Sequence, residues 1–285
     1  MALLIKSLKN VINSLLILGL LSFPAYAKKA VKQPAESQST ILATNYQVTN
    51  LDTGEIIVEK NSGEVRAIAS ITKLMTAIIV LDAKQDLAEK IVFRKPKGVT
   101  SRLPNGVLLT RAEMLLLALM SSDNVAAALL AQNYPGGLDS AIVAMNAKAV
   151  ELGMTSSHFT DPTGLYSDNV STTQDLTKLI DAAYNYDLIK NYSTTSHGRV
   201  EIPGKKRSQF VNFNTTNSLV TTKSNVILSK TGWIRLSGGC LVMIVKEQGQ
   251  RLAIILLNSR NTHTRIRDGL LLTEYNNASN KRNFR

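Results

Sequence analysis

The order of the secondary-structure signals along this chain limits its fold more than any other feature. Strand patterns around a glycine turn predict a β-hairpin at 44–60, and strand-like runs return only at 220–233, 238–246 and 251–259. Helix signals fill the middle, and a final amphipathic helix is predicted at 266–275. Strands at both ends of a helical middle predict an α+β fold, in which one sheet combines the two chain ends, helices flank it and the middle forms an all-helical subdomain. Hairpin connections make that sheet largely antiparallel.

The helical middle contains recognisable helix starts and stops. Apolar periodicity and capping signals predict helices at 70–84, 110–120, 125–132, 138–152 and 171–184. Thr110 with Glu113, and Ser171 with Gln174, have the spacing of capping boxes, in which a hydroxyl and a side chain three residues later satisfy free backbone N–H groups. The segment 121–124 therefore separates two helices, and its side chains can project away from both.

The first 27 residues have the pattern of a secretory signal peptide. Lys6 and Lys9 precede an apolar run at 11–21, and the small-residue site Ala25-Tyr26-Ala27 follows. The run is shorter than the roughly 20 apolar residues of a membrane span, although an uncleaved N-terminal anchor is the alternative. We expect cleavage after Ala27, and therefore export. The remaining segments are expected to be a flexible lead-in at 28–40, one folded domain at 41–276 and a polar tail at 277–285.

Composition excludes several classes of partner. The net charge of +12 suits an anionic surrounding such as the cell envelope, but aromatic residues are only 5% and no nucleic-acid-binding motif is present. The single cysteine, Cys240, lies in an apolar strand-like run, so neither a disulfide nor a reactive thiol is expected. His158, His197 and His263 lack the spacing of metal ligands. We therefore expect no nucleic-acid partner, no metal and no cofactor.

Ser70-Ile71-Thr72-Lys73 is the first segment that could carry chemistry. Residues three apart share one face of a helix, so the Lys73 amine can reach the Ser70 hydroxyl. Serine becomes a nucleophile when a base removes its proton, and lysine can be that base if burial lowers its pKa. A helix start would also favour a developing oxyanion at Ser70. The alternative is a capping serine followed by a solvated lysine, but the apolar run at 74–80 indicates a buried helix.

Ser122-Asp123-Asn124 lies at the predicted break between two helices. From there Ser122 could relay a proton, and Asn124 could bond a substrate amide. The alternative is that both residues cap helices. Similar triplets occur at Ser167-Asp168-Asn169 and Ser259-Arg260-Asn261, but these fall in predicted loops away from a helix–helix junction, which favours Ser122.

Lys230-Thr231-Gly232 ends a strand-like run. Glycine allows a ligand or a second backbone to approach the strand closely, and the lysine and threonine side chains suit a carboxylate. A strand that simply enters a turn is the alternative. Each of the three motifs is weak by itself. Together and in this order, S-x-x-K, S-D-N and K-T-G are the motif set of penicillin-binding proteins and class A β-lactamases.

With these motifs the chain resembles the low-molecular-mass penicillin-binding proteins, the serine D-alanyl-D-alanine peptidases, over nearly all of the sequence after the signal peptide. Further family-like segments lie at 52–55, 69–76, 119–124 and 161–165. The segments at 145–149 and 169–172 are similar to the endopeptidase branch, of the penicillin-binding protein seven type. The resemblance implies a fold of the penicillin-binding-protein and β-lactamase kind, a peptidase domain at 41–276 and a location in the periplasm.

The resemblance also implies an acylation mechanism. Lys73 deprotonates Ser70, which attacks a D-alanyl carbonyl, and Ser122 helps to pass the proton to the leaving amine. The backbone N–H groups of Ser70 and Trp233 form the oxyanion hole. Water then releases the acyl-enzyme, whereas β-lactams acylate Ser70 and stay bound.

Substrate binding and partners follow from the same resemblance. Asn124 and Lys230 hold the substrate, Thr231 binds its carboxylate side, and Gly232 lets it approach the strand. The implied partners are peptidoglycan stem peptides and, as covalent inhibitors, β-lactam antibiotics. The basic segment at 205–207 leaves a loose membrane association open, although a solvated loop is the simpler interpretation.

Two departures from relatives favour one branch of the family. The 53 residues after Gly232 are occupied by two predicted strands and a helix, so the extra β domain and anchor of the carboxypeptidase branch are not expected. The segment 175–179 does not match E-x-x-L-N, which carries the water-activating glutamate of class A β-lactamases. We therefore expect a D,D-endopeptidase that hydrolyses D-alanyl cross-links. A D-alanyl-D-alanine carboxypeptidase shares every motif and is the enzymatic alternative, and a non-catalytic cell-wall-binding module is the other.

Overall fold

The structure, a computed structural model, describes residues 40–204 and 207–273, and its long strands concentrate near the two ends of the chain. The strands are β1 (Asn45–Asn50), β2 (Ile56–Lys60), β3 (Arg66–Ala67), β4 (Lys90–Val92), β5 (Leu108–Thr110), β6 (Val170–Ser171), β7 (His197–Ile202), β8 (Gln209–Asn214), β9 (Val226–Ile234), β10 (Gly238–Glu247) and β11 (Gln250–Ser259). The helices are α1 (Thr72–Asp82), α2 (Arg111–Met120), α3 (Asn124–Gln132), α4 (Gly137–Glu151), α5 (Thr173–Tyr184), α6 (Asp187–Ser193), α7 (Leu219–Thr222) and α8 (Thr262–Thr273).

A five-stranded sheet in the order β2-β1-β11-β10-β9 is the centre of the fold. All of its neighbouring strands are antiparallel. Strand β1, from the start of the described chain, pairs with β11, from near its end, so that Asn45 lies opposite Leu257 and Asn50 opposite Leu252. The predicted α+β fold, with one antiparallel sheet built from both chain ends, is confirmed.

Strands β10 and β11 are buried on both faces because helices cover the sheet from each side. Along β10, Val242 and Ile244 enter the larger core, whereas Leu241 and Met243 enter a smaller core that also contains Leu272 of α8. This alternation follows the two-residue period of a strand. Double-sided burial explains why these strands are nearly continuous apolar runs in the sequence.

Helix α1 lies inside the larger core and packs against α2, α3, α4 and α5. Every side chain from Thr72 to Val80 is buried, and one of them is Lys73. The predicted capping box before α2 is present, because Glu113 N–H donates to Thr110 Oγ1 at 3.1 Å and Thr110 N–H donates to Glu113 Oε2 at 2.7 Å. A buried first helix and a capped second one therefore form as predicted.

Three predicted element boundaries are wrong. Thr172, not Ser171, caps α5, since Ser171 pairs with Arg66 in a small ladder. The strand predicted at 220–233 begins only at Val226, and the residues before it form α7 because threonine hydroxyls at 221 and 222 bond the Ser218 carbonyl. The final helix begins at Thr262 instead of residue 266 because Asn261 Oδ1 accepts the Thr264 N–H at 2.8 Å.

The middle of the chain is mainly helical but not all-helical. Three two-stranded ladders, β3 with β6, β4 with β5, and β7 with β8, accompany the helices there. The strands of the first two ladders have only two or three residues, too few to show a periodic pattern in the sequence. These additions leave the predicted fold class unchanged.

Several sequence predictions fall outside the described residues. They are the signal peptide at 1–27, nearly all of the lead-in at 28–40, the polar tail at 277–285 and the basic pair Lys205-Lys206. Across the ranges that the structure does describe, helix length and hydropathy are insufficient for a membrane span.

Asp268 joins the two ends of the described chain. It is fully buried on α8, and its Oδ2 accepts the N–H groups of Leu42 at 2.9 Å and Ala43 at 2.7 Å, while Arg267 donates to Oδ1. These backbone donors belong to the segment that leads into β1. A single carboxylate therefore fixes the start of the sheet to the last helix.

Replacing Asp268 with alanine should lower the free energy of unfolding by about 3 kcal/mol, because buried N–H groups lose their acceptor. Thermal and urea denaturation of the purified domain would measure this loss. Asp168, which is exposed in a loop, provides the control, since Asp168→Ala should change stability by less than about 0.5 kcal/mol. Equal stabilities of the two variants would contradict the role given to Asp268.

Candidate active site

Ser70 lies on a single 3₁₀ turn, Ala69–Ile71, that leads directly into α1. Ala69 has a φ of +47°, which is costly for a residue with a side chain, and this turns the chain sharply before the helix. Ser70 is partly exposed, whereas its neighbours Ala69 and Ile71 are buried. The Ser70 hydroxyl therefore faces outwards at the positive end of a buried helix.

Lys73 lies one turn later, beneath Ser70. Its Nζ is 2.8 Å from Ser70 Oγ, 2.8 Å from Asn124 Oδ1 and 2.6 Å from the carbonyl oxygen of Thr163. The side chain is only 1% exposed, so these three acceptors replace water around the amine. Burial lowers the pKa of Lys73 to about 7, against the opposing attraction of the Asp161 and Asp123 carboxylates. A substantial fraction of this lysine is therefore a neutral amine near neutral pH.

The Thr163 carbonyl is presented by a loop with its own buried polar network. Asp161 Oδ1 accepts the N–H groups of Thr163 at 2.6 Å and Gly164 at 2.8 Å. Asn169 donates to the Asp161 carbonyl at 2.9 Å and to Thr72 Oγ1 at 3.1 Å, which attaches the loop to α1. The network thus fixes the position of one of the three acceptors of the Lys73 amine.

Ser122 and Asn124 project from the break between α2 and α3. The residue between them, Asp123, caps α3 by accepting the Ala126 N–H at 2.9 Å. Neither Ser122 nor Asn124 is a cap, so the capping alternative does not apply to them. Ser122 has a φ of +60°, an uncommon value for a non-glycine residue, and this bend directs its side chain towards β9.

Lys230, on β9, is a second buried lysine. Its Nζ donates to Ser122 Oγ at 2.8 Å and to the carbonyl of Thr231 at 2.7 Å. Burial holds the pKa of Lys230 well below its ordinary value, and the positive charges of Lys73 and Arg265 lower it further. Each lysine therefore binds one residue of the break between α2 and α3. Lys73 donates to Asn124, and Lys230 donates to Ser122.

The end of β9 passes directly beside Ser70. A methyl group placed at Gly232 would lie 2.8 Å from the Ser70 backbone nitrogen, so only glycine allows this approach. Thr231 Oγ1 is 2.6 Å from Thr216 Oγ1, and Trp233 is 54% exposed at the rim. This edge of the strand forms one wall of a cleft over Ser70.

Arg265, on α8, supports that wall from behind. It donates from Nη1 to the Gly232 carbonyl at 2.8 Å and is only 5% exposed. Within the described ranges its buried Nε has no hydrogen-bond partner. The guanidinium therefore brings a positive charge to the end of the cleft that Thr216 and Thr231 line.

All eight residues that the sequence singles out meet at this cleft. Six of them line a cavity of about 450 Å³, and Lys73 and Lys230 contact that lining through Ser70, Asn124 and Ser122. Its lining residues are Ser70, Ser122, Asn124, Thr216, Thr231, Gly232, Trp233, Thr262 and Arg265. Neither of the two similar triplets contributes: Asn169 lies in the buried network behind Lys73, and Asn261 caps α8.

Three groups that contribute to the site could not be predicted from the local sequence. Thr216 and Arg265 belong to no motif, and the third is a backbone carbonyl, that of Thr163, which side-chain chemistry cannot reveal. The only sequence pointer to the last was the family-like segment at 161–165. Over residues 40–204 and 207–273, no three histidine, cysteine, aspartate or glutamate side chains are arranged to hold a metal ion.

The fold and the three assembled motifs define a serine peptidase of the penicillin-binding-protein kind. The crystal structure of the Streptomyces K15 DD-transpeptidase superposes with a TM-score of 0.77 at 26% identity, covering 83% of this chain and 97% of that one. The chain belongs to peptidase family S11, described as D-alanyl-D-alanine carboxypeptidase, which matches residues 29–261. The expected family and fold are therefore confirmed.

Two relatives identify the branch of that family. The D-alanyl-D-alanine endopeptidase of Pseudomonas aeruginosa is 38% identical over 277 residues, which are 94% of this chain and 89% of the relative. The D-alanyl-D-alanine endopeptidase of Escherichia coli K12 is 40% identical over 265 residues, or 90% and 85% of the two chains. The predicted similarity to the endopeptidase branch is confirmed.

Gly164 offers a test of how the loop at 161–164 positions the Lys73 acceptor. It has a φ of +74°, and a methyl group there would overlap the Ala69 carbonyl. We expect Gly164→Ala to destabilise the protein by about 3 kcal/mol or more, because backbone strain and overlap add. Gly54 has a φ of +77° but open space around it, so Gly54→Ala should cost only about 1 kcal/mol. Denaturant unfolding curves measure both, and a loss at Gly164 no larger than at Gly54 would contradict the close approach.

Proposed function

We propose that this protein is a serine-type D,D-endopeptidase that hydrolyses D-alanyl cross-links in peptidoglycan through an acyl-serine intermediate. The observation that carries the proposal is the contact between the Lys73 amine and Ser70 Oγ at 2.8 Å, under an open cleft. Burial brings the pKa of that lysine to about 7, which is where a general base is effective at physiological pH. The site is therefore suited to generate a serine nucleophile.

In the proposed acylation step, neutral Lys73 takes the proton of Ser70 Oγ as the oxygen attacks the D-alanyl carbonyl. The negative charge that forms on the carbonyl oxygen is stabilised by the backbone N–H groups of Ser70 and Trp233. The close approach of Gly232 to the Ser70 nitrogen supports this assignment, because it brings the strand that carries Trp233 next to Ser70. Collapse of the tetrahedral intermediate leaves the acyl group on Ser70.

The leaving amine needs a proton as the peptide bond breaks. Ser122 is the proposed donor, because its hydroxyl accepts from Lys230 Nζ at 2.8 Å and can thereby keep its own hydrogen directed towards the cleft. Lys73 then gives the proton that it took from Ser70 to Ser122, which restores the Ser122 hydroxyl. In the second half of the reaction a water molecule attacks the ester and gives a proton to Lys73, which passes it to Ser70 Oγ as the ester bond breaks.

Substrate orientation is assigned to the two ends of the cleft. Asn124 would bond the amide on the acyl side of the scissile bond. Thr231, beside Thr216, and Arg265 would bind a carboxylate on the leaving-group side, since both line that end of the cleft and a guanidinium is a strong donor to carboxylates. The D-alanyl-diaminopimelyl cross-link has a carboxylate on that side, as a C-terminal D-alanine also does.

The β-lactamase alternative finds no support at the segment 175–179. Asp175 is buried at the start of α5, where its Oδ2 accepts from Ser156 N–H at 2.8 Å and from Ser157 Oγ at 2.9 Å. This carboxylate is therefore committed to holding a turn and does not line the cleft. We infer that no residue of this segment activates water, so that β-lactams act as slow-leaving inhibitors rather than as substrates.

Location and domain limits complete the proposal. A signal peptide cleaved after Ala27 would deliver the enzyme to the periplasm, where peptidoglycan stem peptides are its partners and β-lactams its covalent inhibitors. The peptidase domain would span 41–276, with the lead-in and polar tail on either side. A loose membrane association would use the basic segment at 205–207.

Covalent labelling tests the nucleophile. Purified protein incubated with a fluorescent penicillin should gain one label at Ser70, located by mass spectrometry, and Ser70→Ala should gain none. Ser167→Ala, in the similar triplet outside the cleft, should label like the wild type. Absence of label from wild-type protein would instead favour the non-catalytic cell-wall-binding module.

Defined substrates separate the two peptidase activities. We expect cleavage of a cross-linked muropeptide dimer to exceed release of D-alanine from a monomeric pentapeptide by at least about tenfold in kcat/KM, and the relatives at 38% and 40% identity support this order. High-performance liquid chromatography of the products provides the measurement. The reverse order would make the protein a carboxypeptidase.

The pKa of Lys73 predicts a pH dependence. Since burial lowers it to about 7, the neutral amine increases as pH rises through that value. The second-order rate constant of penicillin acylation should therefore rise between about pH 6 and pH 8, with its midpoint near 7. Circular dichroism over the same range controls for unfolding. A rate that is constant across this range would contradict the role of Lys73 as general base.

A further inference from the structure

A second cavity adjoins the proposed catalytic cleft. It encloses about 520 Å³ and shares Ser122 and Asn124 with the cleft above Ser70. Its other lining residues are Thr100, Ser101, Arg102, Ser121, Asp123, Phe213 and Asn214. Because the two cavities meet at Asn124, a peptide bound at Ser70 can continue into the second one without leaving the protein surface.

Arg102 is the positive charge of this second cavity. Its guanidinium carbon lies 5.6 Å from the centroid of the Phe213 ring, and Phe213 is only 2% exposed, so the charged group rests on a fixed aromatic surface. In the portions of the chain that the structure describes, no carboxylate forms an ion pair with Arg102, although seven other arginine and lysine side chains do have such partners. The guanidinium is therefore held in place but keeps its hydrogen-bond donors available.

The only carboxylate in the lining is already committed. Asp123 accepts the Ala126 N–H at 2.9 Å through Oδ1 and the Ser101 hydroxyl at 2.5 Å through Oδ2. Both bonds are internal to the protein, one to the start of α3 and one to the loop that carries Arg102. The remaining lining groups are hydroxyls, amides and one aromatic ring, so Arg102 is the cation of the lining and Asp123, already bonded within the protein, is its anion.

We infer that this cavity is a subsite for a carboxylate-bearing residue on the acyl side of the scissile bond, with Arg102 as its specificity determinant. The inference rests on the proposed function, which places the leaving-group carboxylate at the opposite end, by Thr231 and Arg265. A bound cross-link then has its two anionic groups at two separate arginines, with Asn124 between them holding the connecting amide. Arg102 forms charge-assisted hydrogen bonds with the acyl-side carboxylate, while Phe213 fixes the plane of the guanidinium.

The test compares two versions of one cross-linked muropeptide dimer, with the free carboxylates of the acyl-side stem intact or converted to carboxamides. Wild-type protein should cleave the carboxylate form with a kcat/KM at least about tenfold higher, as expected for loss of one charge-assisted hydrogen-bonded pair. Arg102→Gln should reduce this ratio to about twofold or less. Arg102→Lys should fall between the two, because it keeps the charge but loses the planar fork.

Arg199 supplies the matched control, because it is also an exposed arginine that lies over a phenylalanine ring. Its guanidinium carbon is 4.8 Å from the centroid of the Phe210 ring. Arg199 lines neither cavity. Arg199→Gln removes the same charge and should keep the wild-type ratio. End-point labelling of Ser70 by penicillin checks that the Arg102 variants are folded.

The outcomes separate this inference from the proposed function. Wild-type protein that labels with penicillin and cleaves both dimers equally would overturn the subsite alone. An equal loss of the ratio in the Arg199 and Arg102 variants would also overturn it, because the effect would then be one of overall surface charge. Wild-type protein that neither labels nor cleaves would overturn both the subsite and the function on which it rests.

Discussion

The structure of the site depends on one buried amine, that of Lys73. Taking a lysine out of water is costly, and here the cost is offset by three acceptors within 2.8 Å: the Ser70 hydroxyl, the Asn124 amide and the Thr163 carbonyl. These acceptors come from three segments far apart in the sequence. The hydrogen bonds that stabilise the lysine are therefore the same ones that bring the nucleophile, the helix break and the loop at 161–164 together.

That arrangement imposes strain on the surrounding backbone. Positive φ values occur at Ala69, which precedes Ser70, and at Ser122, which lines the cleft. They are 47° and 60°. Such conformations persist only where packing over-determines them. The buried α1, the Asp123 cap and the network of Asp161 with Asn169 supply that packing, so residues with no place in the proposed chemistry hold the reactive side chains in position.

Two arginines give the proposed substrate path a direction. Arg265 reaches one end of the cleft from α8 at the end of the described chain, and Arg102 reaches the adjoining cavity from the loop between β4 and β5. Only the packing of the sheet and helices brings these two positions to adjoining cavities. The anionic groups of a cross-linked peptide would then select its orientation, because each arginine can bind a different carboxylate.

The sequence by itself determined what is local: the i, i+3 pair of Ser70 and Lys73, the helix break at Ser122, the glycine at 232 and the segregation of strands to both chain ends. These follow from helix and strand periods, which need no tertiary contact. Tertiary structure alone decided that Lys73 loses its contact with water, so that its pKa falls to about 7, and that the Thr163 carbonyl, Thr216 and Arg265 join the site. Burial and through-space contact between distant segments set those properties, and no spacing along the chain encodes them.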